Sequence, residues 1–169
     1  MSEIINRNGW KKINVYQGVY NALLRIVEPD LFPCLDHYGI SFYQYNPLAG
    51  GFLTDRYQRD SSSHEEGSRF DPNIQQGAMY RARYWNNAYF DALDDVRPLA
   101  KTLDLTIAEA ALRWSNFYSQ LKAERGDAIM VSASSAKQLG QNLAASEKST
   151  LPEELVQAFD KAWHLQVII

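Results

Sequence analysis

Residues 40–56 read "ISFYQYNPLAGGFLTDR", and their reading decides the fold. The aromatic run Ser41-Phe42-Tyr43-Gln44-Tyr45 is strand-like. It stops at Asn46-Pro47 and is followed by Leu48, Ala49, Gly50 and Gly51, with Arg56 a few positions later. Aromatic and β-branched residues suit a pleated, half-buried surface, whereas Asn-Pro and paired glycines suit a turn. Such a turn either reverses the chain and nothing more, or lets backbone lie against a phosphate where no Cβ intervenes.

Two further stretches read as strands. "INVYQGVY" (13–20) follows the polar turn Asn8-Gly9, and "AIMVSAS" (128–134) follows Gly126-Asp127 as a nearly continuous apolar run. Such runs suit strands buried on both faces, as in a parallel sheet covered by helices. Helical patterns lie between them. "VEPDLFPCLDHYG" (27–39) carries Leu31, Cys34, Leu35 and Tyr38 at helical spacing, which predicts Cys34 as a buried small hydrophobe. Phe90, Leu93, Val96, Leu99, Ala100 and Leu103 form a second stripe. Thr106/Glu109, Ser135/Gln138 and Thr150/Glu153 have the spacing of capping boxes at three helix starts, the last leading into Leu151, Leu155, Phe159 and Trp163 on one face. Residues 55–78, with "SSSHEEGS" at their centre, read as a long surface loop. Strands alternating with helices predict a parallel α/β architecture in a single region, 1–169.

Composition excludes several functions. With 46% hydrophobic and 22% charged residues the chain is an ordinary globular one. A net charge of −3 argues against a nucleic-acid binder. No stretch reaches the roughly 20 apolar residues of a membrane span. One cysteine, Cys34, excludes an internal disulfide, and a soluble, cytoplasmic protein is the expectation. His37, His64 and His164 are far apart and none ends a strand, so no metal site is predicted.

Ligands in parallel α/β folds gather at the carboxyl ends of strands. Here the first end offers Gln17, an amide able to pair with a carboxamide. The second offers Tyr45, a flat face, then Asn46, Pro47, Leu48, Ala49, Gly50, Gly51 and Arg56. The third brings Ser132, Ser134 and Ser135 to a helix N-terminus, whose free N–H groups favour phosphate, with Lys137 adding charge. Gln138, Gln141 and Asn142 follow on that helix. "MYRARYW" (79–85) concentrates Arg81, Arg83, Tyr84 and Trp85 in the long connection, where they either bind an anionic group or pair with nearby acids. Taken singly, Gly-Gly is a turn, a Ser-rich helix start is a cap and Tyr45 is a core residue. The coincidence of three compatible ends favours a nucleotide.

The motifs "NVYQGVYNA", "FPCLDHYGISFYQYNPLAGGFLT", "MYRARYW", "SASSAKQLGQNLAA" and "FDKAWHL" resemble, in order, the second half of the aldo-keto reductases. The resemblance is closest to the aflatoxin-aldehyde and succinic-semialdehyde reductases and runs from about Trp10 to His164. It implies part of a (β/α)8 TIM barrel, about strands six to eight with their helices. It also implies NADP(H) as cofactor and small aldehydes or ketones as substrates. By motif, Gln17 matches the residue on the nicotinamide carboxamide and Tyr45 the aromatic stacked on its ring. Asn46 to Arg56 match the pyrophosphate loop, and Ser132 to Asn142 the surroundings of the 2′-phosphate and adenine; Arg83 and Tyr84 fall to the substrate side. Asp55 departs from the family's glycine and puts an acid near the phosphates. The family's catalytic Asp, Tyr, Lys and His come from a first half with no counterpart here, so the resemblance implies a truncated, inactive C-terminal half. A non-catalytic nucleotide-binding or partner-docking fragment, or an inactive truncated gene product, is the alternative, and open sheet edges predict self-association.

Overall fold

The computed structural model describes residues 1–60 and 66–167; His64 and the centre of the predicted loop lie outside them. The chain begins with α1 (Ser2–Arg7), β1 (Val15–Val19), α2 (Leu31–Tyr38) and β2 (Ser41–Tyr45). After a 3-10 turn at Ala49–Gly51 come α3 (Gln75–Tyr84), α4 (Asn87–Thr102) and α5 (Ile107–Phe117). A second 3-10 turn (Ala123–Arg125), β3 (Ala128–Ile129), α6 (Ala136–Ser146) and α7 (Glu153–Val167) complete the order. The sheet is parallel, in the order β1-β2-β3. This is the α/β architecture that the alternation of strands and helices predicts.

Side chains on the sheet divide by register. Phe42 and Gln44 are fully buried beneath the helices. Phe42 packs on Tyr16, Tyr20 and Phe32. Gly18 makes this possible, because a Cβ there would lie 2.8 Å from the rings of both Phe42 and Tyr16. On the opposite face Gln17 pairs with Tyr43 and Val19 with Tyr45. That face is open: Val15 is 40% and Tyr43 37% exposed. The strands are therefore not buried on both faces as their apolar runs predict. β3 is also shorter than the predicted 128–134. It pairs only with β2, through Tyr43 and Gln44, and its ladder ends once Met130 N–H has donated to the Gln44 carbonyl.

Two further expectations are corrected. Cys34 is exposed, and α2 turns Phe32 and Leu35 inward instead. The 55–78 segment is not wholly surface loop. Tyr57 and Phe70 are buried within it, and its end enters α3. The capping serine and threonine perform as predicted at two of three sites. Thr106 Oγ1 accepts from Glu109 N–H at 3.1 Å, and Ser135 Oγ from Gln138 N–H at 3.2 Å. At the third, α7 begins only at Glu153, too far along for Thr150 to precede it directly.

Below the sheet's amino end, Asp127 holds three elements together. Its carboxylate accepts from Phe42 N–H at 2.7 Å, Lys122 N–H at 2.8 Å and Arg125 Nε at 2.8 Å. Burial alone would push this carboxyl up, but the Arg125 and backbone hydrogen bonds outweigh it and hold it below the ordinary carboxylate range. The core's other large mass is aromatic. Phe52, Tyr57, Phe70, Tyr84, Trp85 and Phe90 pack edge-on, tilted and, for Phe52 on Tyr84, stacked beneath the turn that ends β2. Most of the unusual aromatic content thus packs this core.

Candidate functional site

The turn after β2 is backbone under constraint. Asn46 and Ala49 have φ of 61° and 50°, and Gly50 and Gly51 have φ of 72° and 102°. Left-handed backbone costs a non-glycine residue about 1–2 kcal/mol, so surrounding contacts must hold it. They do: the Asn46 carbonyl accepts from Asn21 Nδ2 at 3.1 Å and Ala49 N–H at 2.9 Å, while Asn46 Oδ1 accepts from Tyr80 OH at 3.1 Å. Asn46 is 7% exposed, and its Nδ2 has no hydrogen-bond partner among the described residues. Strained backbone held in place at a strand end is the pattern of a ligand clamp.

The two glycines have different reasons to be there. A Cβ on Gly50 would lie 2.3 Å from the Tyr80 ring, so Gly50 admits an internal side chain. A Cβ on Gly51 would meet only Tyr57, at 4.0 Å, so only its backbone angle requires glycine, and the space beside it is open. Thr54 Oγ1 donates to the Gly51 carbonyl at 2.6 Å and accepts from Arg56 N–H at 3.2 Å, which carries the turn on to Arg56.

A cleft of about 560 Å³ opens on this turn. Asn46, Pro47, Leu48, Gly50, Gly51 and Arg56 form one wall; Ser132, Ser134, Gln138, Gln141 and Asn142 form another. The carboxyl ends of β2 and β3 are therefore brought to one place. On the second wall Gln138 Oε1 accepts from Ser134 Oγ at 2.6 Å and from Ser134 N–H at 3.1 Å, pre-shaping the start of α6.

The structure leaves the remaining candidates outside this lining. Ala49 is fully buried under the turn. Ser135 caps α6, and Lys137 is exposed in its first turn. Gln17 and Tyr45 share the open face of the sheet with Tyr43. Arg83 lies over the ring of Tyr84 at 5.9 Å, and Tyr84 is fully buried in the aromatic core. Burial pushes the Tyr84 phenol up, with Arg83 opposing. Asp55 is absent from the lining; its charge bears on Arg97 instead.

Sequence reasoning missed the third wall, made by Glu66, Gly67, Ser68 and Arg69. It stands because Phe70 is buried, its carbonyl accepts from Arg81 Nε at 2.6 Å, and Asp71 caps the Gly67 and Asn73 N–H groups. Arg69 lies over the Tyr80 ring at 5.8 Å. Ser68 Oγ is buried without a hydrogen-bond partner among the described residues. The signal available was "RFD" (69–71), an aromatic beside an arginine in an otherwise polar stretch. No cluster of three or more His, Cys, Asp or Glu fit for a metal occurs among the described residues. None of their helices is long and apolar enough to cross a membrane.

A parallel sheet whose strand ends converge on a cleft with cationic and amide walls defines an α/β ligand-binding fold. Residues 1–164 match the Aldo/keto reductase family model, and the chain belongs to that family. It is 55% identical over 161 residues to an aldo-keto reductase of Pseudocercospora fijiensis, covering 95% of this chain and 54% of that protein. It is 45% identical over 163 residues to aflatoxin B1 aldehyde reductase member 2 of Mus musculus, covering 94% and 44%. The aflatoxin-aldehyde reductase subgroup suggested by the motifs is thus among its relatives. The chain spans about half the length of the relatives it matches. Among solved structures it is similar to the glycerol dehydrogenase AKR11B4 of Gluconobacter oxydans. The TM-score is 0.59 at 18% identity, over 88% of this chain and 41% of that one, a likeness of fold alone.

Proposed function

We propose that this chain is the NADP(H)-binding, C-terminal half of an aldo-keto reductase, about strands six to eight of a (β/α)8 barrel with their helices. The observation that carries the reading is the convergence of two strand ends on one cleft, with the left-handed turn of Asn46, Gly50 and Gly51 in its wall. When bound, the cofactor supplies a hydride to a carbonyl carbon. The chain's own residues bind and orient. Gly51, Arg56 and Arg69 suit a pyrophosphate, with open backbone and two guanidiniums. The start of α6 suits the phosphorylated ribose, with Ser132 and the helix N–H groups as donors and Lys137 as a nearby charge. Gln141 and Asn142 suit an adenine edge. Gln17 and Tyr45, on the open face of the sheet, suit the carboxamide and the ring of the nicotinamide.

The family's proton-donating tyrosine and its Asp, Lys and His partners belong to a half without a counterpart here. Reduction of a small aldehyde or ketone then requires that other half, packed against the open sheet face around Val15 and Tyr43. The same face supports the alternative of a non-catalytic, partner-docking fragment, which would keep the cleft and do no chemistry.

Titration with NADPH and NADH, followed by tyrosine and tryptophan fluorescence, tests the reading. A charge-assisted contact is worth about 1.5–3 kcal/mol, so NADPH is expected to bind at least about tenfold more tightly than NADH. Lys137→Ala is expected to narrow that difference, and Asn46→Ala to weaken both. Equal affinities, or indifference to Lys137→Ala, would overturn the assignment of NADP(H).

A further inference from the structure

We propose that Arg97, on α4 and outside the cleft, is a positioning residue that sets the affinity of the cleft for a pyrophosphate. The inference rests on the nucleotide reading of the cleft. Beside the buried ring of Tyr57, Arg97 is a tie by which the core grips the turn carrying Arg56. Its Nη2 donates to the Thr54 carbonyl at 3.3 Å and to the Tyr57 carbonyl, and its Nη1 to Gln58 Oε1 at 3.3 Å. Its side chain is only 13% exposed. Thr54 and Tyr57 bracket Asp55 and Arg56, so the fork fixes both ends of the segment from which Arg56 reaches the cleft. Thr54 is tied in turn to the Gly51 carbonyl, so one guanidinium holds the basic residue and the open glycine in a fixed relation.

Electrostatics gives the same residue a second effect. Asp55 sits beside Arg56, where a carboxylate would repel an anionic ligand. Burial works against the Arg97 charge, while Asp55 and Asp94 both favour it, so the guanidinium partly offsets the acid beside Arg56. Asp94 Oδ1 lies 3.9 Å away. A lysine would keep the charge but cannot span two carbonyls and an amide with one compact ammonium. The planar fork is what the geometry uses.

The decisive comparison is between a ligand with a pyrophosphate, NADPH, and one without, 2′-AMP. Titration of the intact chain and of the Arg97→Gln and Arg97→Lys variants, each checked by circular dichroism, separates local from general effects. Both variants are expected to weaken NADPH about tenfold while 2′-AMP stays within about twofold. Arg97→Lys, which retains charge and stem, covers the case in which Arg97→Gln fails to fold. In an Arg56→Ala background, Arg97→Gln is expected to add little, because the two act through one contact. Unchanged NADPH affinity, equal losses for both ligands, or full additivity with Arg56→Ala would overturn the role of Arg97. A wild-type chain that binds neither ligand would overturn the nucleotide reading itself, a distinct result.

Discussion

Gly77 and Asp71 approach so closely that a Cβ on Gly77 would lie 1.7 Å from the Asp71 carbonyl oxygen. The contact lets the 66–71 segment settle on α3, with Phe70 buried and Arg81 bonded to the Phe70 carbonyl. That segment is the wall bearing Ser68 and Arg69. Backbone cannot yield as a flexible side-chain tip does, so Gly77→Ala must push the segment off the helix. Overpacking of this kind costs about 1–3 kcal/mol, against which alanine's better helix propensity returns about 1. The variant is expected to melt several degrees lower and to bind NADPH more weakly. A thermal melt and a fluorescence titration check both; an unchanged melt with unchanged binding would show that the wall does not depend on this contact.

Asp127 makes stability depend on acid. Its folded carboxyl titrates below its unfolded value, so its contribution is complete above the unfolded carboxylate pKa of about 3.9 and is lost as pH falls through the depressed folded value. The side chains of Arg125 and Asp127 are 6% and 1% exposed. Removing one partner of so buried a pair typically costs about 3 kcal/mol. Asp127→Asn is therefore expected to be much less stable than wild type at pH 7, and the gap to shrink below about pH 4. Urea denaturation at the two pH values measures this. A gap that is constant with pH would mean that Asp127 acts by shape rather than by charge.

These contacts also show what the sequence made legible. β1 and β2 were readable because their aromatic and β-branched runs fit a pleat, and two caps because Thr106 and Ser135 act within one turn of chain. β3 was overextended because an apolar run does not record how many neighbours it pairs with. α3 was hidden: "QQGAMYRARY" carries little amphipathic pattern and a glycine that local rules count against a helix, and only the distant Asp71 carbonyl explains it. At the site the same division holds. The two strand ends were visible as Gly-Gly and a Ser-rich cap, while Ser68 and Arg69 reach the cleft only through the burial of Phe70. Cys34 was misplaced because a helix of eight residues fixes its phase poorly, and Phe32 with Leu35 won the inward face.

Carbonyl reduction by the chain alone is expected to stay at background. General acid–base help contributes about 10²–10⁴-fold, and it requires a proton donor within hydrogen-bond reach of the reacting oxygen. The described lining of the cleft holds one tyrosine, Tyr57, and no lysine or histidine to tune it. Oxidation of NADPH with 4-nitrobenzaldehyde, read at the cofactor's absorbance, is the assay. Turnover that survives repurification would refute the proposal that the catalytic residues lie elsewhere, and would direct attention to Tyr43 and Tyr45 on the open face.

The isolated chain is expected to associate with itself. β1 is an edge strand, and its unpaired N–H and C=O groups are flanked by Val15 and Tyr16, 40% and 42% exposed. On the other side of the sheet β3 offers only two paired residues, followed by the exposed Met130. Beside it α6 turns Leu139 and Leu143 outward, one helical turn apart, and buries only Ala145. Edges flanked by apolar side chains template pairing with other chains. Fully burying a large apolar side chain gains about 1.5–3 kcal/mol, so covering half of each of these five gains several kcal/mol, comparable with a domain's net stability. Lysine at position 143 puts a charge in the patch without disturbing a buried contact, so Leu143→Lys is expected to reduce association and leave helix content unchanged. Size-exclusion chromatography with light scattering over a concentration series measures both proteins. A wild-type monomer at every concentration, with a sharp cooperative melt, would refute the expectation and show that these surfaces are stable in water as they stand.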